Sequence, residues 1–473
     1  MHVSLDSALG RQRRLNSVGE SVLQIAPNAA AAYSLRSLTG GDPKVVRVRR
    51  KSDNAERDFT ASGVTSGALV DFVNEDVTIY QSDYSADANG WSGSTSLPTG
   101  NHDGVSDSVG TSKDNVLKLV KQADSQGFMQ RTQGVAIGCN YTVSGSFLAP
   151  ASNTAVDGIL VKDGVAGSSL SNYPSGYLVS DGTWTDFSFS YTATVKGLQR
   201  INMGISSLGS NPNGSSTGSA GDIVYIADLK FVETTSNGFV ETWYDQSGTV
   251  PPNDAIQTTA NLQPKIVDAG VFQNGLKFDS DGSSSGPDFR TPISSAELTN
   301  DPTGHNGFAL VWVGNVNQVQ HNPTNDHSVL GNVKNVQTFS TGTIGLSVIP
   351  QTGTVKFTSE TGGSSRQILE DTNALTPGNT GVLFSSYEDA EAGFAPLLSV
   401  DGSVTVSGFT DVLNSSSTNN IGIMTAITAG NNVEYSRSTD GICKEVLLYT
   451  GDQLSKRAAL ETNIAAEYGI TLS

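Results

Sequence analysis

Cysteine is almost missing from this chain: Cys139 and Cys443 are the only two. They are expected to fall in different domains, so a structural disulfide is not expected, and neither sits in a metal-ligand cluster. The five histidines are scattered and form no zinc motif. Charged residues make up only 16% of the chain, and acids outnumber bases to a net charge of −18. Such a surface repels nucleic acid, so DNA packaging and nucleic-acid partners are excluded. No run approaches about 18 consecutive apolar residues, so no membrane span is expected. The start, Met1-His2-Val3-Ser4-Leu5-Asp6, lacks the charged-then-apolar pattern of a leader, so export by the usual secretory route is not expected.

What is present is glycine (51 residues) together with many Ser, Thr, Asn and Asp. That mixture favours short strands joined by polar turns, and the length calls for two or three domains. The basic residues are uneven: Arg11, Arg13, Arg14, Arg36, Lys44, Arg47, Arg49, Arg50, Lys51 and Arg57 all lie near the start. Two readings follow. The arginines, Arg11, Arg13 and Arg14 above all, dock the chain onto an acidic protein surface; or those farther along are strand residues with buried stems and solvated heads. Residues 1–24 have weakly helical spacing and read as an N-terminal docking arm, or as a terminus that orders on a partner. Ile25 to Leu35 reads as a short helical turn capped by Asn28 after Pro27.

Val45 to Arg49 alternates apolar and basic as a half-buried strand does. A period-two run at Tyr141–Phe147 follows, and then the stretches Gly182–Ala193 and Gly221–Phe231. Later strands are expected at Leu276–Asp279, Phe308–Val313, Gly345–Val348, Val382–Tyr387, Pro396–Val400, Ile421–Met424 and Gly441–Tyr449. Asp401-Gly402 is a hairpin signal. Leu454 to Tyr468 has a helical period and Gly469 to stop it.

One signature is cut in two. Ala32-Tyr33-Ser34-Leu35-Arg36 with Val45 to Glu56 is one half. Phe239 to Gly248, containing Trp243-Tyr244-Asp245-Gln246-Ser247-Gly248, with Asn253-Asp254-Ala255 and Gln263 to Val267, is the other. Together they resemble a concanavalin A-like, LamG-type lectin β-sandwich common in bacteriophage structural proteins and distantly similar to arabinofuranosidase B-type catalytic domains. Between the halves, Gly90-Trp91, Gly182-Thr183-Trp184-Thr185 and Ile223 to Phe231 resemble the strands of a carbohydrate-binding-module jelly roll. The resemblance implies an all-β chain: an N-terminal arm (1–24), a discontinuous β-sandwich (25–74 plus 236–473) with one C-terminal helix, and an inserted jelly roll (75–235). Asn74 and Ser236 must then meet in space.

Retaining glycosidases need two carboxyl groups about 5–5.5 Å apart. The stretch matching the family's acid position, Ile421 to Asn432, contains no carboxylate; the nearest is Glu434, and Asp326 is the acidic residue of the nucleophile region. A non-enzymatic chain is therefore expected, with Asp326 and Glu434 as the pair if it hydrolyses. Asp245 reads as a turn residue accepting backbone N–H bonds, and Trp243 and Tyr244 as core. Sugars stack on aromatic faces, and Trp91, Tyr173, Tyr177 and Trp184 are the platforms of the insert, although a strand Trp such as Trp184 is commonly core. No cofactor is required; Asp279, Asp281 and Asp288 have a spacing that would suit calcium, or belong to a solvated hairpin loop.

The resemblance implies a virion protein of a phage, on capsid or tail, with other virion proteins and host glycans as partners, no membrane partner, and a homo-oligomeric state. A glycoside hydrolase or depolymerase, and a secreted bacterial adhesin, are the alternatives.

Overall fold

The structure, a computed structural model, describes residues 20–82, 92–93, 102–103, 113, 116–120, 128–148, 150–152, 159–162, 182–194, 197–204, 223–279, 286–299, 307–317, 324–332, 344–361, 365–372, 374–387, 396–406, 418–428, 432–433 and 438–473. It is an all-β chain of antiparallel sheets with a C-terminal helix, Arg457–Tyr468. Among the described residues no helix is long and apolar enough to cross a membrane.

A twelve-stranded sheet runs through the main body. Its central path places Phe308–Val316 beside the closing strand Gly441–Tyr449, and farther along Gly238–Trp243 beside Lys44–Arg50. The second pairing joins the two halves of the split signature directly, with Gly238 opposite Arg50 and Trp243 opposite Val46. A six-stranded sheet, Phe289–Ser294, Asn420–Ile423, His327–Gly331, Ile344–Ile349, Thr354–Thr361 and Ser365–Asp371, faces it. Leu276, Phe308, Leu310 and Trp312 of the first sheet and Leu330, Leu346, Phe357 and Ile423 of the second share one buried core.

The strand Phe308–Val316 shows why its sequence is apolar without alternation. Leu310 and Trp312 enter the inter-sheet core, while Ala309, Val311 and Val313 pack under Leu460 and Ile464 of the C-terminal helix. A strand covered on both faces needs apolar side chains on both. Burying Leu460 and Ile464 stabilises the docked helix by about 2 kcal/mol each. Gly469, at φ 68°, ends that helix in the left-handed conformation, its N–H donating to the Ala465 carbonyl. The expected Asp401-Gly402 hairpin is present, joining Leu397–Val400 to Ser403–Val406 with both turn residues at positive φ (47° and 88°).

The helical turn expected over residues 25–35 is not formed. A single turn spans Val22–Ile25, Asn28 takes a positive φ of 64° instead of capping, and Ala31–Ser34 is a strand paired with Gly441–Tyr449. Helix propensity of the alanines loses to tertiary pairing: Ala31 and Tyr33 face the inter-sheet core, and Ala32 faces the helix-covered cluster, where only small side chains fit. Val22 is buried in that same cluster, so the last residues of the expected arm pack on the body. Residues Arg11, Arg13 and Arg14 lie outside the described residues.

The signature loop ties this strand down. Asp245 accepts from the Ala32 and Ser247 N–H groups at Oδ1 (both 2.9 Å) and from Asn253 N–H at Oδ2 (3.0 Å), as expected of a turn carboxylate. Gln246 donates to the Ser34 and Arg36 carbonyls (3.0 and 3.1 Å) and accepts from Leu38 N–H (2.8 Å). Arg36 then forks onto the fully buried Glu445 (2.8 and 3.1 Å) and reaches Asn463 on the C-terminal helix (3.0 Å). Ser34 and Tyr468 hydroxyls also donate to Glu445 (3.1 and 3.0 Å), so the buried charge is matched and hydrogen-bonded. Arg47 pairs with Asp58, and Arg50 with Asp53 and Glu75; Arg49 pairs with no acid but with Gln263, Asn54 and the Ala260 carbonyl. These four arginines are thus tied into the sandwich; Arg47, Arg49 and Arg50 lie on a strand as expected, but the Arg49 and Arg50 heads are buried rather than solvated, and Arg36 lies on the loop after its strand.

Between Val77 and Glu233 the described strands hydrogen-bond only with one another. They form a six-stranded sheet (Thr185–Thr192, Asn140–Leu148, Ile223–Glu233, Leu117–Val120, His102–Asp103, with Val77–Gln81) and a four-stranded one (Ile159–Lys162, Gly197–Gly204, Phe128–Val135, Ser92–Gly93). Tyr141, Phe147, Phe187 and Phe231 fill a core separate from that of the sandwich. At the junction, Ser236 N–H donates to Asn74 Oδ1 (3.3 Å) across 162 positions, and Asn74 donates to the Gly270 carbonyl (3.0 Å). Glu233 is buried beside this junction, and burial pushes its carboxyl above the usual range. Cys139 and Cys443 are both buried free thiols.

Gln246→Ala strips partners from two buried or half-buried carbonyls and one N–H at once. Each orphaned group costs about 1 kcal/mol or more, so chemical unfolding of the full chain is expected to show a loss of about 3 kcal/mol. An unfolding midpoint equal to that of the wild type would contradict the staple.

Candidate functional site

The outer face of the insert's six-stranded sheet is the most differentiated surface among the described residues. In Thr185–Thr192, Phe187, Phe189 and Tyr191 point to or pack against the insert core, so Asp186, Ser188, Ser190 and Thr192 point outward. The neighbouring strand presents Asn140, Thr142, Ser144 and Ser146 opposite them. The result is a ladder of polar rows. Thr142 and Ser190 hydroxyls meet at 2.7 Å, and Thr192 donates to Asn140 Oδ1 at 2.6 Å.

One end of this ladder is apolar. Leu148, Tyr225, Ala227 and Val116 form a small cluster on which the half-buried Trp184 packs. Lys113 closes over the junction between the apolar end and the polar rows. Its ammonium lies 5.9 Å from the Trp184 ring centre, donates to Ser146 Oγ (2.8 Å), pairs with Asp228 (2.5 Å) and stands 3.8 Å from Asp186. Asp228 projects there because a bulge shifts the register between Ala227 and Lys230, with Asp228 at φ 54°. The two carboxylates stay largely open to solvent, at 84% for the Asp186 side chain and 64% for Asp228. An aromatic flank beside solvent-facing acceptors and hydroxyls suits a ligand with apolar C–H faces and many hydroxyl groups.

Of the four expected sugar platforms, Trp184 is in this face, neither core nor fully exposed. Trp91, Tyr173 and Tyr177 lie outside the described residues. Lys113, Asp186, Asp228 and Tyr225 were not singled out from the sequence. The alternation Asp186, Ser188, Ser190, Thr192 marks a polar strand face, and could have pointed to two of the rows. The bulge that turns Asp228 outward has no comparable signal.

Asp326 falls on the outer face of the sandwich's smaller sheet. The cross-strand row Ser328, Ser347, Lys356, Glu370 lies beside it. Lys356 holds Asp326 at 3.0 Å, with side chains only 13% and 7% exposed, and reaches Glu370 at 3.6 Å. Glu434 lies outside the described residues. Asp279 is engaged by Lys265 and Lys277 (3.4 and 3.3 Å), and Asp288 by Arg290 (2.5 Å). Asp279 and Asp288 are thus each paired with basic side chains, and Asp281 lies outside the described residues. Among the described residues no group of three or more His, Cys, Asp or Glu could hold a metal ion.

Tyr244, expected in the core, is only half-buried, its hydroxyl donating to Asp58 (2.7 Å), whereas Trp243 is fully buried. Arg47 and Lys44 share that carboxylate, and Asp58 is held well below the usual range, first by the Arg47 hydrogen bond.

No protein-family profile matches the chain, and no curated protein matches it. Among solved structures it is similar to the CBM40 of Ruminococcus gnavus IT-sialidase bound to alpha2,3 sialyllactose: 13% identity over 33% of this chain and 82% of that one, TM-score 0.27. The tandem CBM22 pair of Paenibacillus barcinonensis Xyn10C is similar at 10% identity over 79% and 97%, TM-score 0.26. An arabinofuranosidase complexed with arabinofuranosyl-alpha-1,2-xylobiose is similar at 13% identity over 49% and 52%, TM-score 0.26.

Lys356→Met leaves Asp326 buried without its cation, and breaking such a pair costs about 3 kcal/mol or more. Urea unfolding is expected to show that loss, with most of it recovered in the Asp326→Asn/Lys356→Met double variant. Single and double variants of equal stability would argue that the pair is not structural.

Proposed function

We propose that this chain is a non-enzymatic bacteriophage virion protein, on capsid or tail, that binds host-surface glycans through the outer face of its insert. The observation that carries the glycan part is the face itself: Trp184 on an apolar ledge, two solvent-facing carboxylates, and rows of hydroxyls on adjacent strands. The virion part rests on the split signature and its resemblance to phage lectin-like sandwiches. The sandwich supplies a rigid mount. Its two connections to the insert leave and re-enter at one point, Asn74 and Ser236, which suits outward display. The Asp326–Lys356 ion pair supports a structural role for the acid otherwise assigned to hydrolysis.

The test is a glycan array probed with the full chain, together with peptide mass spectrometry of purified particles. Trp184→Ala is expected to weaken binding about tenfold, the size of an aromatic stacking contribution of about 1.5 kcal/mol. The chain is expected in stoichiometric amounts in the particle, and no reducing ends are expected from arabinoxylan or capsule. Absence from particles would remove the virion role; binding indifferent to Trp184→Ala would remove the face.

A further inference from the structure

We infer that the ligand of this face is an uncharged glycan held through its hydroxyl groups on Asp186 and Asp228, and that sialylated and uronic-acid glycans are not its ligands. The inference rests on the glycan-binding reading above and names the chemical class. Lys113, the cation nearest Trp184, is 23% exposed and already committed to Asp228, Ser146 and the approach to Asp186. Two carboxylates face that one ammonium, and both are far more open to solvent than it is. A sugar carboxylate laid beside Trp184 would meet acceptors before donors.

Among the described residues two other cations belong to this face. Lys118 lies over Tyr225 (5.9 Å), on the strand beyond it in the sheet, and Lys230 is exposed on the next polar row, opposite Ser144. Among the described residues the polar rows carry Lys113 and Lys230 against Asp186 and Asp228, with Lys118 standing over Tyr225 at the apolar end, and the face belongs to a chain of net charge −18. What it offers in quantity is acceptors. An ionised carboxylate accepts from neighbouring hydroxyls of one sugar ring, and such charge-assisted bonds are about twice as strong as neutral ones.

The direction of one substitution separates the two ligand classes. Asp186→Asn removes the charge from an 84%-exposed side chain and keeps an amide oxygen that can still accept from the buried Ser146 hydroxyl. The full chain, Asp186→Asn and Trp184→Ala are compared on an array of neutral and acidic microbial polysaccharides, at low and high salt. Binding is expected only to neutral glycans, three- to tenfold weaker in Asp186→Asn, and changed little by salt, since no ligand charge is screened. Binding to acidic glycans that is lost in Trp184→Ala but strengthened in Asp186→Asn would overturn this inference and leave the glycan-binding reading standing. No binding to any member would overturn both.

Discussion

Three hydrogen bonds from one side chain hold this architecture together. Gln246 reaches the Ser34 and Arg36 carbonyls and the Leu38 N–H, groups more than 200 positions away in sequence. Asp245 beside it anchors Ala32. Backbone groups buried between strands must be paired, and the loop carrying Arg36 and Leu38 lies beyond the pairing of Ala31–Ser34 with the closing strand. Placing the acceptors and donors on a signature loop solves that problem. The strand it fixes then carries Ser34, and the loop after it Arg36, to the buried Glu445, so the closing strand and the C-terminal helix are tied to the same point.

That staple explains why an insertion is tolerated. The strand pairing of Lys44–Arg50 with Gly238–Trp243 is local in space whatever the chain does between them. Asn74 and Ser236 are in hydrogen-bond contact, so the intervening residues leave and return through one narrow opening. The inserted sheets have their own aromatic core, and their outer face is free of the demands that fix the sandwich. Polar rows and a half-buried tryptophan occupy that face.

A period-two run identified the strand at Tyr141–Phe147, the stretches at Gly182–Ala193 and Val382–Tyr387 were read as strands to within a few residues, and the C-terminal helix was marked by its spacing and Gly469. Asp245 was legible because its turn chemistry is local. Ala31–Ser34 was not, because a run of alanines favours a helix until a distant strand and a distant glutamine compete for its backbone. Trp184 was visible as an aromatic, but Lys113 over its ring comes from outside the strands, and Asp228, which Lys113 pairs with, sits in a bulge, which periodicity does not encode. Ala68–Val73 folds as a helix where only a run of residues toward the break was read.

The most direct test removes the insert. Deleting residues 75–235 and joining Asn74 to Ser236 spans a gap already closed by a hydrogen bond. If the staple and the paired halves define the sandwich, calorimetry of the shortened chain shows one cooperative unfolding transition close to that of the sandwich in the full chain. A shortened chain that is unfolded or aggregates, with no cooperative transition, would contradict the account.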